Sequence, residues 1–99
     1  MGKYYLTNKA VNDLSDIWNY TFNKWSERQA DNYYSMLIET FQSIANKPDL
    51  GKNYEGIVTS LFGIHSNRHI VFYRIINSCE IEITRILHES MDLKKRIFE

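Results

Sequence analysis

The stretch RHIVFYRI, residues 68–75, has the alternation of a β-strand, but both of its faces carry apolar side chains. Ile70 and Phe72 point to one side of such a strand, whereas Val71 and Tyr73 point to the other. A sheet built around this strand therefore needs a cover on each face. In a chain of 99 residues, the segments available to supply both covers are few.

Three further segments have β character and polar or glycine-containing boundaries. They are KYYLT at residues 3–7, IVTSLFGIH at residues 57–65 and EIEITRILH at residues 80–88. Asn77 and Ser78 supply polar turn residues between the last two strands, so we predict that residues 68–76 and 80–88 form a hairpin.

Two helical patterns lie between the first strand and the remaining three. Apolar residues recur at spacings of three and four within residues 8–24, and again from Ser26 to near Asn46. Ser26 and Gln29 have the spacing of a capping box, and Pro48 ends the second helix. Because the connection between the helices is so short, we expect them to fold back as an antiparallel hairpin.

The predicted fold is therefore α+β, in the order β-α-α-β-β-β, as a single domain over residues 1–99. The helix hairpin packs on one face of a small, mainly antiparallel sheet, and residues 91–99 form a short tail or helix. Two interpretations of the second face remain open. It is a partner-binding surface, or it is covered by the glycine-containing loop after Pro48 together with the C-terminal tail.

Composition excludes several function classes. Lys and Arg number 12, as do Asp and Glu, so no net positive charge favours general binding of nucleic acid. Cys79 is the single cysteine, which disfavours both a disulfide and a zinc site, and we expect neither metal nor cofactor. The sequence has no apolar run long enough for a membrane span or a signal peptide, so we expect a cytoplasmic protein.

The order of four motifs resembles the ParE branch of the RelE/ParE toxin superfamily. These motifs are DIWNYT at residues 16–21, PDLG at residues 48–51, FYR at residues 72–74 and RILHESMD at residues 85–92. The resemblance implies the same β-α-α-β-β-β fold and a cognate antitoxin, ParD-like or similar, that wraps the toxin. It also implies inhibition of DNA gyrase by binding, without catalysis.

The RelE branch of the superfamily implies an alternative, a ribosome-dependent mRNA endonuclease. For that reaction the candidate catalytic residues would be Arg68, Arg74, Arg85 and His88, since RNA cleavage needs a base, an acid and cations at the phosphate. The neutral chain argues against a ribosomal substrate. Arg74 also has a structural interpretation, in which it pairs with Glu80 or Glu82 across the hairpin. A third possibility is an inactive homologue that binds only antitoxin.

Two groups of residues are candidates for binding. Those expected to contact the antitoxin are Trp25, Tyr33, Phe72, Tyr73 and Arg74. Those expected to contact the target are Arg85, His88, Met91, Asp92, Lys94, Lys95 and Arg96, on a terminus that we expect to be exposed and mobile. The alternative is that Ile97 and Phe98 dock this terminus on the sheet.

Overall fold

The computed structural model describes residues 2–99. Its strands are β1 (Lys3–Leu6), β2 (Lys52–Asn53), β3 (Phe62–Ser66), β4 (His69–Asn77) and β5 (Glu80–His88), and its helices are α1 (Asn8–Lys24), α2 (Glu27–Asn46) and α3 (Leu93–Ile97). A short 3-10 turn, Pro48–Leu50, follows α2. The sheet order is β1-β5-β4-β3-β2, with β1 parallel to β5 and the other neighbours antiparallel. The predicted α+β class and element order are confirmed; the short β2 was not predicted, and the predicted tail or helix at the C-terminus is the helix α3.

Local side-chain chemistry sets the helix ends. Thr7 accepts a hydrogen bond from the amide of Ala10 at the start of α1, and Ser26 accepts one from the amide of Gln29 at the start of α2. Each bond satisfies an amide that has no partner within its helix. Pro48 then stops α2 close to the predicted point.

One hydrophobic core lies between the helix hairpin and the sheet. The sheet contributes Val71 and Tyr73 from β4 to this core, together with Ile81, Ile83 and Ile86 from β5. The helices contribute Ala10, Leu14, Leu37, Phe41, Ile44 and Ala45. Burial of this apolar surface is the main force that holds the hairpin on the sheet.

A second core covers the opposite face of the same strands. Ile70, Phe72 and Leu87 are buried there with Leu61. The covering side chains are Tyr54 and Val58, from the loop between β2 and β3, and Leu93 and Ile97 from α3. The chain thus covers its own second face, and the interpretation of that face as an open partner site is wrong.

Two segments differ from their predicted form because they cover this second face of the sheet. Residues 57–61, expected in a strand, lie in the loop, where the amides of Ile57 and Val58 bond to the carbonyl of Tyr54. The terminus, expected to be mobile, forms α3, which docks through Leu93 and Ile97 while Phe98 stays exposed.

A β-bulge in β5 changes which side chains share a face. Tyr73 pairs with Ile83 and Phe72 pairs with Arg85, so Thr84 is an extra residue in the ladder. Plain alternation puts Arg85 on the face of Ile81 and Ile83, and Glu82 on the face of His88. Both expectations are wrong, because the bulge reverses the alternation between Ile83 and Arg85.

Candidate functional site

A groove of about 1180 Å³ opens between the helix hairpin and one end of the sheet. Its walls come from α1 and α2, from the start of β4 and from the end of β5, with Met91 and Arg96 at the C-terminal side. Arg68, Arg85 and His88 all line it. The groove therefore brings together three of the four residues predicted for a nuclease.

Arg85 is held by Asp13 at the floor of this groove. Its Nε lies 2.7 Å from Oδ2 of Asp13, and its Nη2 lies 3.0 Å from Oδ1. The two side chains are only 12% and 13% exposed. Hydrogen bonding to this carboxylate raises the pKa of Arg85 above its ordinary value. Arg85 thus finds its carboxylate partner within the fold.

The same carboxylate also accepts a hydrogen bond from an amide at the edge of β5. β1 pairs with β5 only as far as Ile83, so the edge of β5 has no neighbouring strand after that residue. Oδ2 of Asp13 accepts a hydrogen bond from the amide of Ile86 at 3.0 Å. Asp13 therefore satisfies both a buried guanidinium and an edge amide.

A second polar cluster joins α2 to the sheet. Oη of Tyr33 lies 2.5 Å from Nδ1 of His69 and 3.3 Å from the carbonyl oxygen of Ser66. The ring of His69 packs edge-to-face on His88, with ring centres 5.3 Å apart. Burial, and then the neighbouring His88, lower the pKa of His69 to about 4, so its ring is neutral at pH 7.

His88 has its own hydrogen-bond partners. Its Nδ1 accepts the amide hydrogen of Ser90 at 3.1 Å and lies 2.7 Å from the hydroxyl of that residue. Since a backbone amide can only donate, Nδ1 carries no proton while this bond is present, and the neutral ring holds its proton on Nε2. The imidazole can therefore present a donor at Nε2.

Arg74 lies away from the other predicted catalytic residues. It is opposite Glu82 in the ladder, with Nη2 and Oε1 3.7 Å apart, and both side chains are substantially exposed. The expected pairing across the hairpin is confirmed. Arg74 does not line the groove, so the four candidates do not form one cluster.

The candidates for antitoxin contact differ in how far their side chains are exposed to solvent. Trp25 is 68% exposed at the end of α1, and Tyr33 lies partly buried in the groove wall. Phe72 and Tyr73 have no exposed surface, so both belong to the core and neither side chain is available at the surface in this conformation. Arg74 is exposed.

The candidates for target contact lie along one side of the groove and on α3. Met91 and Arg96 line the groove, and Lys94 and Lys95 are exposed on α3. Asp92 caps α3, since its side chain accepts from the amide of Lys95 at 3.2 Å.

Two residues of the groove were missed from the sequence, Asp13 and His69. In a hairpin that turns at Ser78 and Cys79, His69 lies opposite His88. The histidine pair could therefore have been predicted from the position of the turn. No comparable signal identifies Asp13.

In residues 2–99, no group of three or more His, Cys, Asp or Glu side chains is placed to hold a metal ion. In the same part of the chain, no helix has the length and apolar character needed to cross a membrane.

The sequence of this chain is similar to that of known toxins. Residues 4–93 match the family described as ParE toxin of type II toxin-antitoxin system, parDE. The chain is 35% identical over 97 residues to Toxin ParE1 of Caulobacter vibrioides, covering 98% of this chain and 99% of the relative. It is 27% identical over 95 residues to Toxin ParE1 of Mycobacterium tuberculosis, covering 96% and 97% of the two chains.

A solved structure has the same fold. A chain from the structure titled "Chromosomal ParDE TA system from P. aeruginosa" superposes with a TM-score of 0.75 at 19% identity, covering 89% of this chain and 96% of that one. At this identity the likeness supports the fold. The match over residues 4–93 and the near full-length relatives together establish that the chain belongs to the ParE toxin family of type II toxin–antitoxin systems.

Proposed function

We propose that this ParE toxin inhibits DNA gyrase by binding, that it catalyses no reaction, and that a cognate ParD-like antitoxin neutralises it in the cytoplasm. Gyrase as the target comes from the resemblance to ParE toxins. The observation that most directly supports a binding mode is the state of Arg85. Asp13 compensates its charge in a two-point contact and a backbone carbonyl takes a third of its five N–H donors, so this guanidinium has little free charge to offer a phosphate.

Other features of the groove support the same mode. Arg74 lies outside the groove, which leaves Arg68 and His88 as the remaining nuclease candidates there. The chain has no net charge with which to attract a ribosome and its message. Cleavage of RNA requires cations at the phosphate in addition to a base and an acid.

The endonuclease remains a second candidate because of one observation. Tyr33, His69 and His88 form a connected cluster in the groove that Arg68 also lines. Such a cluster contains hydroxyl and imidazole groups of the kinds that serve as acid and base in RNA cleavage.

Exposed residues of the two candidate groups define the proposed interfaces. Trp25, Tyr33 and Arg74 would contact the antitoxin, while Phe72 and Tyr73 support the sheet from within. The target would contact His88, Met91, Asp92 and the basic side chains of α3, which include Lys94, Lys95 and Arg96, with Arg85 beneath them.

Expression of the chain in cells, followed by analysis of ribosome-bound message, tests this proposal. We expect growth arrest that co-expression of a cognate ParD-like antitoxin relieves, and intact message on translating ribosomes. Message cleavage that His88→Ala abolishes, and that the exposed His65→Ala control retains, would establish the endonuclease instead. Absence of growth arrest would indicate the inactive homologue.

A further inference from the structure

Arg85 contacts α3 as well as α1. Its Nη1 donates to the carbonyl oxygen of Arg96 at 2.6 Å and lies 3.9 Å from Oε1 of Glu99. One buried guanidinium therefore joins the middle of α1, the last strand and the C-terminal helix. The contact with Asp13 spans 72 positions of sequence.

α3 depends on contacts of this kind. A helix of five residues is too short to be stable by itself in water. Leu93 and Ile97 attach it to the second core on one side. Arg85 binds the carbonyl of Arg96 from the groove side. Apolar contacts favour burial without fixing direction, whereas the hydrogen bond from Arg85 fixes how α3 is rotated and placed.

The orientation of Arg85 depends in turn on Asp13. The carboxylate holds Nε and Nη2 in a two-point contact, and that geometry leaves Nη1 directed at α3. With the carboxylate removed, the partly buried guanidinium would keep only Glu99, 3.9 Å from Nη1, as a nearby carboxylate and would turn toward it or toward water.

We propose that Asp13 is the positioning residue of the toxin's target-binding surface: it fixes Arg85, and through Arg85 it fixes α3 beside the groove. The part of this inference that concerns the target rests on the proposed function. Asp13 itself touches no target in this scheme. Its role is to hold the basic residues of α3 and the groove edge in one arrangement.

Hydrogen exchange of the full-length chain tests the positioning step independently of the target. In Asp13→Asn the side chain keeps its volume and an oxygen for the amide of Ile86, but it loses its charge. We expect the hydrogen-bonded amides of α3, which include those of Lys95 and Arg96, to exchange roughly tenfold faster, with α2 unchanged, because α3 opens locally. Glu39→Gln, which changes an exposed carboxylate of α2 outside the groove, is the control and should leave exchange unchanged.

Two further variants separate positioning from general damage. Arg85→Lys keeps the positive charge but lacks the two-point contact, so it should loosen α3 as Asp13→Asn does. Asp13→Glu keeps a carboxylate and should restore part of the protection. Unchanged exchange of the hydrogen-bonded amides of α3 in both Asp13→Asn and Arg85→Lys would overturn the proposal.

Inhibition of gyrase by the same variants tests the target step. We expect Asp13→Asn to inhibit supercoiling at least about tenfold more weakly than the wild type and Glu39→Gln, in proportion to the loosening of α3. Loosened α3 with full inhibition would overturn the role of Asp13 in the target surface while leaving the proposed function intact. No inhibition by the wild type would refute the proposed function, and hydrogen exchange would still decide the positioning step.

Discussion

His69 shows how burial sets the charge of a single residue. Its ring is enclosed by Tyr33 of α2 and His88 of β5, and these surroundings lower its pKa to about 4 from an ordinary value of 6.5. The unfolded chain therefore binds a proton at His69 at a higher pH than the folded chain does. Stability that is fully present above about pH 6.5 is lost as the pH falls toward 4.

The free energy of unfolding should reflect this shift. Between pH 7.5 and pH 5, we expect the wild type to lose about 1–2 kcal/mol more stability than His69→Gln, in which the titrating group is absent; the upper value corresponds to the full shift in pKa and the lower one to screening by solvent at a half-buried ring. Chemical unfolding at the two pH values measures the difference. His65→Gln removes an exposed histidine and should behave as the wild type. Equal losses in wild type and His69→Gln would contradict the assignment.

Asp13 illustrates a residue-scale contact that sequence reasoning could not find. Its partner is 72 positions away, and their meeting depends on where β1 ends and α1 passes the free edge of β5. His88 and Arg85 were identified because their own strand is evident from its pattern. A carboxylate on a helix face has no such pattern, since most are solvated.

At the scale of elements, one side chain joins two of the motifs that carried the resemblance. The hydroxyl of Tyr73 donates to the carbonyl of Pro48 at 2.6 Å and accepts from the amide of Gly51 at 2.9 Å. A Cβ at position 51 would lie 2.2 Å from this hydroxyl, so glycine is required there. The motifs PDLG and FYR are thus joined by the two hydrogen bonds of the Tyr73 hydroxyl.

Tyr73→Phe tests the strength of this connection. The substitution leaves two backbone groups without their partner in a buried site, so we expect a loss of about 1–3 kcal/mol in the free energy of unfolding. Tyr5→Phe also removes a hydroxyl, here one bonded to Glu80 on the exposed edge, and should cost less than about 0.5 kcal/mol. Chemical denaturation compares the two variants, and equal small losses would contradict the account.

The elements themselves were predictable to different degrees. The bounds of α1 and the end of α2 follow from local signals, namely periodicity, a capping serine and Pro48. The loop over residues 54–61 and the bulge at Thr84 were not predictable, because each is fixed by packing against the second face of β4. Tertiary contacts override strand propensity in such places.

At the scale of the whole molecule, α3 belongs to the core as well as to the proposed target surface. Leu93 and Ile97 cover the face of Phe72. With α3 docked, we expect Leu93→Ser combined with Ile97→Ser to destabilise the chain by about 2–4 kcal/mol.

Thermal unfolding and binding of a hydrophobic dye measure this effect. The double variant should unfold at a lower temperature and bind more dye, since the second face becomes exposed. Lys94→Ala combined with Lys95→Ala changes only exposed side chains of α3 and should leave both properties as in the wild type. A double serine variant as stable as the wild type would show that α3 does not cover the core.

The central claim is that this toxin, which has no net charge and covers both faces of its own sheet, acts by binding gyrase. The most direct test is DNA supercoiling by purified gyrase in the presence of increasing amounts of the purified chain. The account predicts inhibition that approaches completion near equimolar toxin and that the cognate antitoxin reverses. Undiminished supercoiling at a large excess of a chain that arrests growth in cells would contradict it.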